Sequence, residues 1–281
     1  MRFARLFGHS RNDSGAEETE FAPYAFPRVN IFYWTPASRV NFGDYLAYAI
    51  VARMLALQEI VPGEPSEHPA SLFSIGSVLH FARDGDTIWG SGRNGKITGQ
   101  DHRFKRLDVR AVRGPLTRDF LLERDIECPA IFGDPALLIP RLFPTRFRRA
   151  ATPGKIGVVP NLNDLDIVND GRVIDPTRRW DAVIDEILSC EFVVASSLHG
   201  LIVADAFGVP CAHVRFSGTE PDFKYSDYHH GAGRTEFWSS SSVDEALSRG
   251  PLPPISFDPE PLLAAFPYDL WHRPVADADG V

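Results

Sequence analysis

The apolar positions of this chain fall into short β-branched runs separated by stretches of helical periodicity. The run Phe192-Val193-Val194-Ala195 is unbroken and predicts a strand buried on both faces of a parallel sheet, ended by Ser196-Ser197. Nearly every residue from Leu198 to Phe207 is apolar, Gly208 stands where a left-handed helix cap belongs, and Val209-Pro210 leads into an apolar run at 211–216. This predicts a β-α-β unit. Upstream, 29–34 predicts a strand and a helix begins at Gly43, with Leu46, Ala49, Ile50, Met54 and Leu57 at helical spacing. Residues 73–79 and 87–89 predict short strand or turn elements, 90–96 a flexible, partly basic loop, and 108–112 another strand. Pro115 opens a helix to about 123, and the 130–132 run ends in Gly133-Asp134-Pro135.

Between Pro140 and Pro153 the pattern gives way to Arg141, Arg146, Arg148 and Arg149. Strands are predicted again at 155–160, 172–174, 192–195 and 211–216, with helices at 178–188 and 199–207. Helices at 243–248 and 259–266 close the chain, crossing back toward the first half. The alternation predicts an α/β protein of two Rossmann-like domains, each with a parallel sheet covered by helices on both faces. The expected division is a tail or surface arm at 1–27, an N-terminal domain at 28–150 and a C-terminal domain at 151–281.

Ligands of open α/β sheets bind beyond the carboxyl ends of the strands. Asp44, Arg113, Asp134 and His199 all lie just past predicted strands, so facing sheets would let them converge. His199 falls at a strand-to-helix turn, where free backbone N–H groups and the positive helix end favour an anion; it is equally placed to be a helix-cap residue. Arg113 offers a guanidinium fork for a carboxylate or phosphate, or forms an ion pair at a strand end. Asp44 is a candidate base, or an acid placed for the helix dipole, beside the capping position of Asn41. Asp134 before Pro135 caps a turn, and Asp205, inside an apolar helix, answers a buried partner.

Composition narrows the chemistry. The 281 residues are 44% hydrophobic and 23% charged, which suits a globular core, and a net charge of -8 argues against general nucleic-acid binding. Any anion site must be built locally. No apolar run approaches the ~18 residues needed to span a bilayer, and the arginine-bearing start MRFARLFGHSRNDSG lacks a continuous apolar segment, so a soluble, cytoplasmic protein is expected. Cys128, Cys190 and Cys211 are widely spaced and fit buried thiols. His229 and His230 are adjacent, diverge in direction and lack a third ligand at suggestive spacing, so no metal is expected.

Four segments carry a family resemblance: Asn41-Phe42-Gly43-Asp44, Val112-Arg113-Gly114-Pro115-Leu116-Thr117, Gly133-Asp134-Pro135-Ala136, and Ser196-Ser197-Leu198-His199-Gly200 with Ala204-Asp205 and Gly208-Val209-Pro210. In this order they resemble the polysaccharide pyruvyltransferases, over about residues 29 to 230. The resemblance implies a glycosyltransferase-B-like pair of domains facing a cleft, with the acceptor on the N-terminal side and the donor on the C-terminal side. It also implies transfer of a pyruvyl group from phosphoenolpyruvate to two saccharide hydroxyls as a ketal, in surface-glycan synthesis. Phosphoenolpyruvate is then a co-substrate and no cofactor is expected. The acceptor is a saccharide, lipid-linked in one form of the expectation, which would bring the protein to the inner face of the membrane.

On this reading His199 transfers protons or contacts phosphate, Asp44 activates the acceptor, and Arg113 with Arg215 or Lys224 holds the donor anions. Asn41, Gly43, Asp134 and Gly200 shape the site. Many relatives carry Arg directly before the Leu-His pair, where this chain has Ser197; Ser197 donates one neutral hydrogen bond, and Arg215, Arg93 or Lys224 would have to supply the missing charge. Trp34, Tyr45, Trp89 and Tyr225 are aromatics near strand ends from which a sugar-stacking residue is expected. Two other readings compete: a glycosyltransferase with a nucleotide-sugar donor, and a non-catalytic anion- or glycan-binding relative.

Overall fold

The computed structural model describes residues 29–35, 39–60 and 70–271; the expected tail at 1–27 lies outside them. The first half contains strands β1 (Val29–Phe32), β2 (Ala70–Phe73), β3 (Thr87–Trp89) and β4 (Asp108–Ala111), with helices α1 (Phe42–Leu57), α2 (Pro115–Leu122) and α3 (Ile139–Leu142). The second contains β5 (Ile156–Val159), α4 (Trp180–Leu188), β6 (Phe192–Ala195), α5 (Leu198–Ala206), β7 (Cys211–Val214), α6 (Phe223–Gly231), β8 (Ser239–Ser240), α7 (Val243–Arg249) and α8 (Glu260–Ala264).

The strands form two four-stranded sheets, ordered β1-β2-β3-β4 and β5-β6-β7-β8, with every pairing parallel. The expected α/β class with two parallel sheets is therefore found. A bridge from Val112 to Phe132 extends the first sheet beyond β4, and one from Val158 to Val173 extends the second beyond β5. In the second sheet the chain steps from β5 to Val173 on one side and then to β6 on the other. The order of neighbours thus reverses at β5 and β6, and such a reversal opens a crevice at the carboxyl strand ends. Ser197 and His199 lie there.

Local sequence explains the elements that frame this crevice. Asn41 caps α1 by accepting the Gly43 N–H at 2.9 Å, and Phe42, Leu46, Ile50, Val51 and Met54 turn one face into the core. Ser197 caps α5, and Gly208 ends its turn at φ +64°. One apolar cluster runs from α1 through the turn at Pro135–Leu138 to α4 and α5, so the two sheets share packing through their helices. The C-terminal segment returns to the first half, as expected: Leu262 of α8 and Phe266 join that cluster, and Trp89 donates its indole N–H to the Leu262 carbonyl at 2.9 Å.

The 73–79 stretch, read as short strand or turn, is strand only to Phe73 and then turns, with Gly76 at φ +95°. Two elements correct the reading: helix α6 and the short β8 were not expected. The helix, Phe-Lys-Tyr-Ser-Asp-Tyr-His-His-Gly, has no apolar stripe; it is buried through Tyr225, Asp227, Tyr228 and His229, whose polar atoms find partners across the molecule.

Candidate functional site

His199 sits in the first turn of α5, where Ser197 Oγ accepts the Gly200 N–H at 3.2 Å and Ser196 Oγ accepts the Asn161 N–H at 3.0 Å. Gly200 lets this turn lie on β5, since a Cβ there would come 2.9 Å from Val159 Cγ1. The His199 ring is almost wholly buried and lies against the start of α1 in the other half. A Cβ at Gly43 would fall 2.2 Å from His199 Nδ1, so only glycine fits. On its other edge, His199 Nε2 is 3.7 Å from Asp134 Oδ2. Neither atom has a hydrogen-bond partner, while Asp134 Oδ1 is held by the Ala136 N–H at 3.0 Å. Two buried polar atoms therefore face each other just beyond hydrogen-bond length.

Asp44 completes this group. Burial raises its pKa from 3.8 to about 6; His199 and Lys224 pull it down, and Asp134 pushes it up. The charges acting on Asp44 thus come from both halves, Asp134 from the first and His199 and Lys224 from the second. Gly76 borders Asp44: a Cβ there would stand 3.4 Å from its Oδ1. A carboxyl that titrates near 6 exchanges a proton close to neutral pH.

Arg113 is fully buried, and its guanidinium is engaged by the protein. Nε donates to Asp227 Oδ2 at 3.0 Å, Nη1 to Ser77 Oγ at 2.6 Å, and Nη2 to the Arg93 carbonyl at 2.7 Å. Asp227 also accepts the Thr117 N–H at 2.9 Å and its hydroxyl at 2.7 Å, so a residue of α6 caps α2, whose own N-cap is Gly114. The backbones nearly touch here. A Cβ on Gly114 would be 1.8 Å from the Asp227 carbonyl, and one on Gly231 would be 2.0 Å from that of Arg113.

Lys224, one turn before Asp227, is mostly covered and pairs with Glu220. The Glu220 carboxylate also accepts Lys96 Nζ at 2.5 Å and Asn163 Nδ2 at 2.9 Å. Burial alone would raise the Glu220 pKa, but the two lysines and Asn163 bring it down to about 2, so the carboxylate is ionised. Burial lowers Lys224, opposed by Glu220. Arg215 is part-exposed, bonded to Asp222 Oδ1 at 2.6 Å and to the Glu220 carbonyl at 3.1 Å. Arg93 stacks over the Phe120 and Phe223 rings and donates to the Ile97 carbonyl at 3.2 Å.

Of the aromatics, Trp89 and Tyr225 are core residues, the latter donating its hydroxyl to the Ser196 carbonyl at 2.7 Å. Trp34 is 38% exposed. Tyr45 lines an open groove at the outer side of α1 with Val40, Phe42, Thr177, Arg178 and Trp180. Asp205 is found with the buried partner expected of it, Arg234, at 2.6 Å. His229 is buried and bonded through Nδ1 to Arg234 at 2.9 Å, and burial holds its pKa down at about 2. Cys128, Cys190 and Cys211 are buried free thiols. Among the described residues no cluster of three His, Cys, Asp or Glu side chains is placed to hold a metal ion, and no helix is long and apolar enough to cross a membrane.

The structure thus brings Asp44, Asp134 and His199 together around Gly43, with the Lys224 charge acting on Asp44. Asn41 and Gly200 hold the two helix starts, and Arg113 and Arg215 stand apart in pairs with Asp227 and Asp222. Sequence reading missed Asp227, Glu220, Lys96 and Ser77. Two of these had a signal: Asp227 lies three residues after Lys224, and Lys96 lies in the partly basic loop at 90–96.

Comparison with known proteins bears on these segments. Residues 101–217 match the family model described as "Polysaccharide pyruvyl transferase". The succinoglycan biosynthesis protein ExoV of Rhizobium meliloti is 29% identical over 218 residues, covering 73% of this chain and 65% of ExoV. The uncharacterized protein L143 of Acanthamoeba polyphaga mimivirus is 28% identical over 170 residues, covering 55% of this chain and 57% of its own. Matched stretches thus span less than two thirds of these relatives. A crystal structure of a functionally uncharacterized protein from Klebsiella pneumoniae subsp. pneumoniae aligns with a TM-score of 0.48 at 11% identity, covering 76% of this chain and 93% of that one. The matched stretch includes Arg113, Asp134, Ser197, His199 and Arg215 and three of the four motifs, and over it the chain is similar to the polysaccharide pyruvyl transferases, the family those motifs resemble.

Proposed function

We propose that this protein transfers a pyruvyl group from phosphoenolpyruvate to two hydroxyls of a saccharide, forming a ketal during exopolysaccharide synthesis. The observation that carries this reading is the meeting of the start of α1, with Asp44, and His199, from opposite halves, beside Asp134. The family match and the relative named for succinoglycan biosynthesis support it. The two sheets would face a cleft in a glycosyltransferase-B-like manner. Phosphoenolpyruvate would be a co-substrate, without a further cofactor, and the acceptor would be reached in the cytoplasm or at the inner membrane face.

The reaction needs one proton delivered to the donor's methylene carbon and two removed from acceptor hydroxyls; the balance leaves with phosphate. Asp44, a stronger base than an ordinary carboxylate, takes the proton of the attacking hydroxyl. As an imidazolium, His199 delivers a proton to the methylene carbon while Asp134 orients its ring and stabilises its charge. The attacking oxygen bonds to the adjacent carbon, the C–O bond to phosphate breaks, and the second hydroxyl closes the ketal. Lys224, with Lys96 behind it, supplies the cationic charge that relatives place at the position of Ser197. Arg113 acts through Asp227, holding the start of α2 and the α6 helix that carries Lys224.

Phosphate release from phosphoenolpyruvate with a panel of saccharide acceptors tests the proposal. Acceptor-dependent release in the wild type, lost in His199→Ala, is expected. Absence of release with every acceptor, together with binding of a nucleotide sugar, would overturn it in favour of glycosyl transfer.

A further inference from the structure

The most unusual charged group in the molecule is the Glu220 carboxylate. It is 7% exposed and enclosed by three donors from three separate segments. Lys96 comes from the loop after β3, Asn163 from the loop after β5, and Lys224 from the first turn of α6. Each segment follows a strand end on the crevice side, and Lys96 crosses from the other half of the molecule. Two ammonium groups and an amide converging on one carboxylate form an anion-binding site of the kind a substrate would use. Here the protein's own side chain fills it.

Its position connects it with the site already described. Lys224 is close enough to Asp44 to lower that carboxyl's pKa. Glu220 itself stands on an irregular segment between β7 and α6, where Gly218 has open space around its Cα and Ser217 Oγ bonds Asp164 Oδ1 at 2.5 Å. The backbone of Glu220 is tethered through Arg215, which also holds Asp222. The other buried cations give no comparable opening: Arg113 is tied to Asp227 and Arg234 to Asp205, in pairs locked by further hydrogen bonds.

We propose that Glu220 is an internal stand-in for the donor's anionic group, occupying the Lys96–Lys224 site until a carboxylate- or phosphate-bearing ligand displaces it. The inference rests on the donor reading above for the identity of that ligand, and on the geometry alone for the existence of the site. Displacement exchanges one carboxylate for another anion on the same two lysines, and Glu220 swings to solvent with its segment. The ligand's affinity is thereby reduced by the fraction of molecules in which Glu220 holds the site. A neutral side chain at this position removes the competitor and retains the lysines.

Calorimetry with phosphoenolpyruvate and, separately, inorganic phosphate, on wild type, Glu220→Gln and Lys96→Met, decides the matter, with thermal unfolding of each variant checking that it is folded. Glu220→Gln should bind at least one of the two anions about tenfold more tightly than wild type. Lys96→Met should bind that anion less tightly than wild type. Equal or weaker binding of both anions by folded Glu220→Gln would show that the cluster is only a latch between the halves, and the inference falls. If Glu220→Gln fails to unfold cooperatively, Glu220→Asp replaces it, and its shorter carboxylate should still raise affinity. The donor reading is separable from this result. Turnover of phosphoenolpyruvate with no gain in Glu220→Gln sinks the stand-in alone, whereas a gain for phosphate in a protein that never turns over phosphoenolpyruvate sinks the donor reading and leaves the site.

Discussion

Replacing Asp44 by asparagine should make the protein more stable and less active at once, and the two effects have one cause. Asp44 is half-buried at the junction of the two halves, and that burial raises its pKa from 3.8 to about 6 against the pull of His199 and Lys224. The folded state therefore binds the proton more tightly than the unfolded chain. Between about pH 4 and pH 6 the unfolded carboxyl has released its proton while the folded one retains it, so wild-type stability falls as pH rises through that window. At about 1.36 kcal/mol per pH unit, the rise from 3.8 to about 6 corresponds to about 3 kcal/mol, present as favourable stability below about pH 4 and lost above about pH 6. The asparagine amide does not titrate. In urea unfolding from about pH 4 to pH 8, the stability of Asp44→Asn relative to wild type should therefore grow by about 3 kcal/mol across the range. Phosphate release at about pH 7.5 should fall by about 10²-fold or more in the same variant, since a general base is lost. A stability difference independent of pH would show that Asp44 is not held in a charge-disfavouring site, and unchanged turnover would remove it from the proton-transfer scheme.

Other perturbations probe the junction around it. Gly43→Ala places a methyl 2.2 Å from His199 Nδ1; the ring must move, so turnover should drop about 10²-fold while urea unfolding shows a loss of about 1–3 kcal/mol, and wild-type turnover would disprove the packing. Asp227→Ala strands the buried Arg113 and removes the cap of α2, so a stability loss of about 3–5 kcal/mol is expected by urea unfolding, and a loss under about 1 kcal/mol would contradict the buried pair.

The parts of the fold that were legible in the sequence are those in which apolar runs act alone. The 192–216 unit announces itself because β6 and α5 are almost wholly apolar and Gly208 marks the turn between them and β7. Asn41 likewise caps α1 through a bond to a residue two places along. Helix α6 was not legible, because its buried face is made of Tyr225, Asp227, Tyr228 and His229, whose partners lie far away in the chain. Arg113 shows the same limit. Its residue type and position past β4 suit an anion site, yet Asp227, 114 positions away, takes its charge. Glu220 carries no local pattern and Lys96 only that of a partly basic loop; 124 positions separate them, and the crossing of the loops after β3 and β7 joins them.

The motif glycines carry the argument one step further. Gly43 and Gly114 lie in two of the four segments that suggested the family, where glycine is commonly read as room for a ligand. In the folded protein each is room for the other half of the chain: Gly43 admits the His199 ring, and Gly114, with Gly231 opposite, admits the Asp227 and Arg113 backbones. The halves are therefore pinned at two places, one at His199 and one at Asp227, at distances no side chain would tolerate. Wide separation of the sheets would break both contacts and the Arg113–Asp227 pair together. The segment between β7 and α6 is held in the same way, since a Cβ at Gly95 would stand 2.6 Å from Phe223 Cβ and 3.3 Å from Pro221 Cγ, so a ligand entering there would displace a side chain such as Glu220 and would not part the halves.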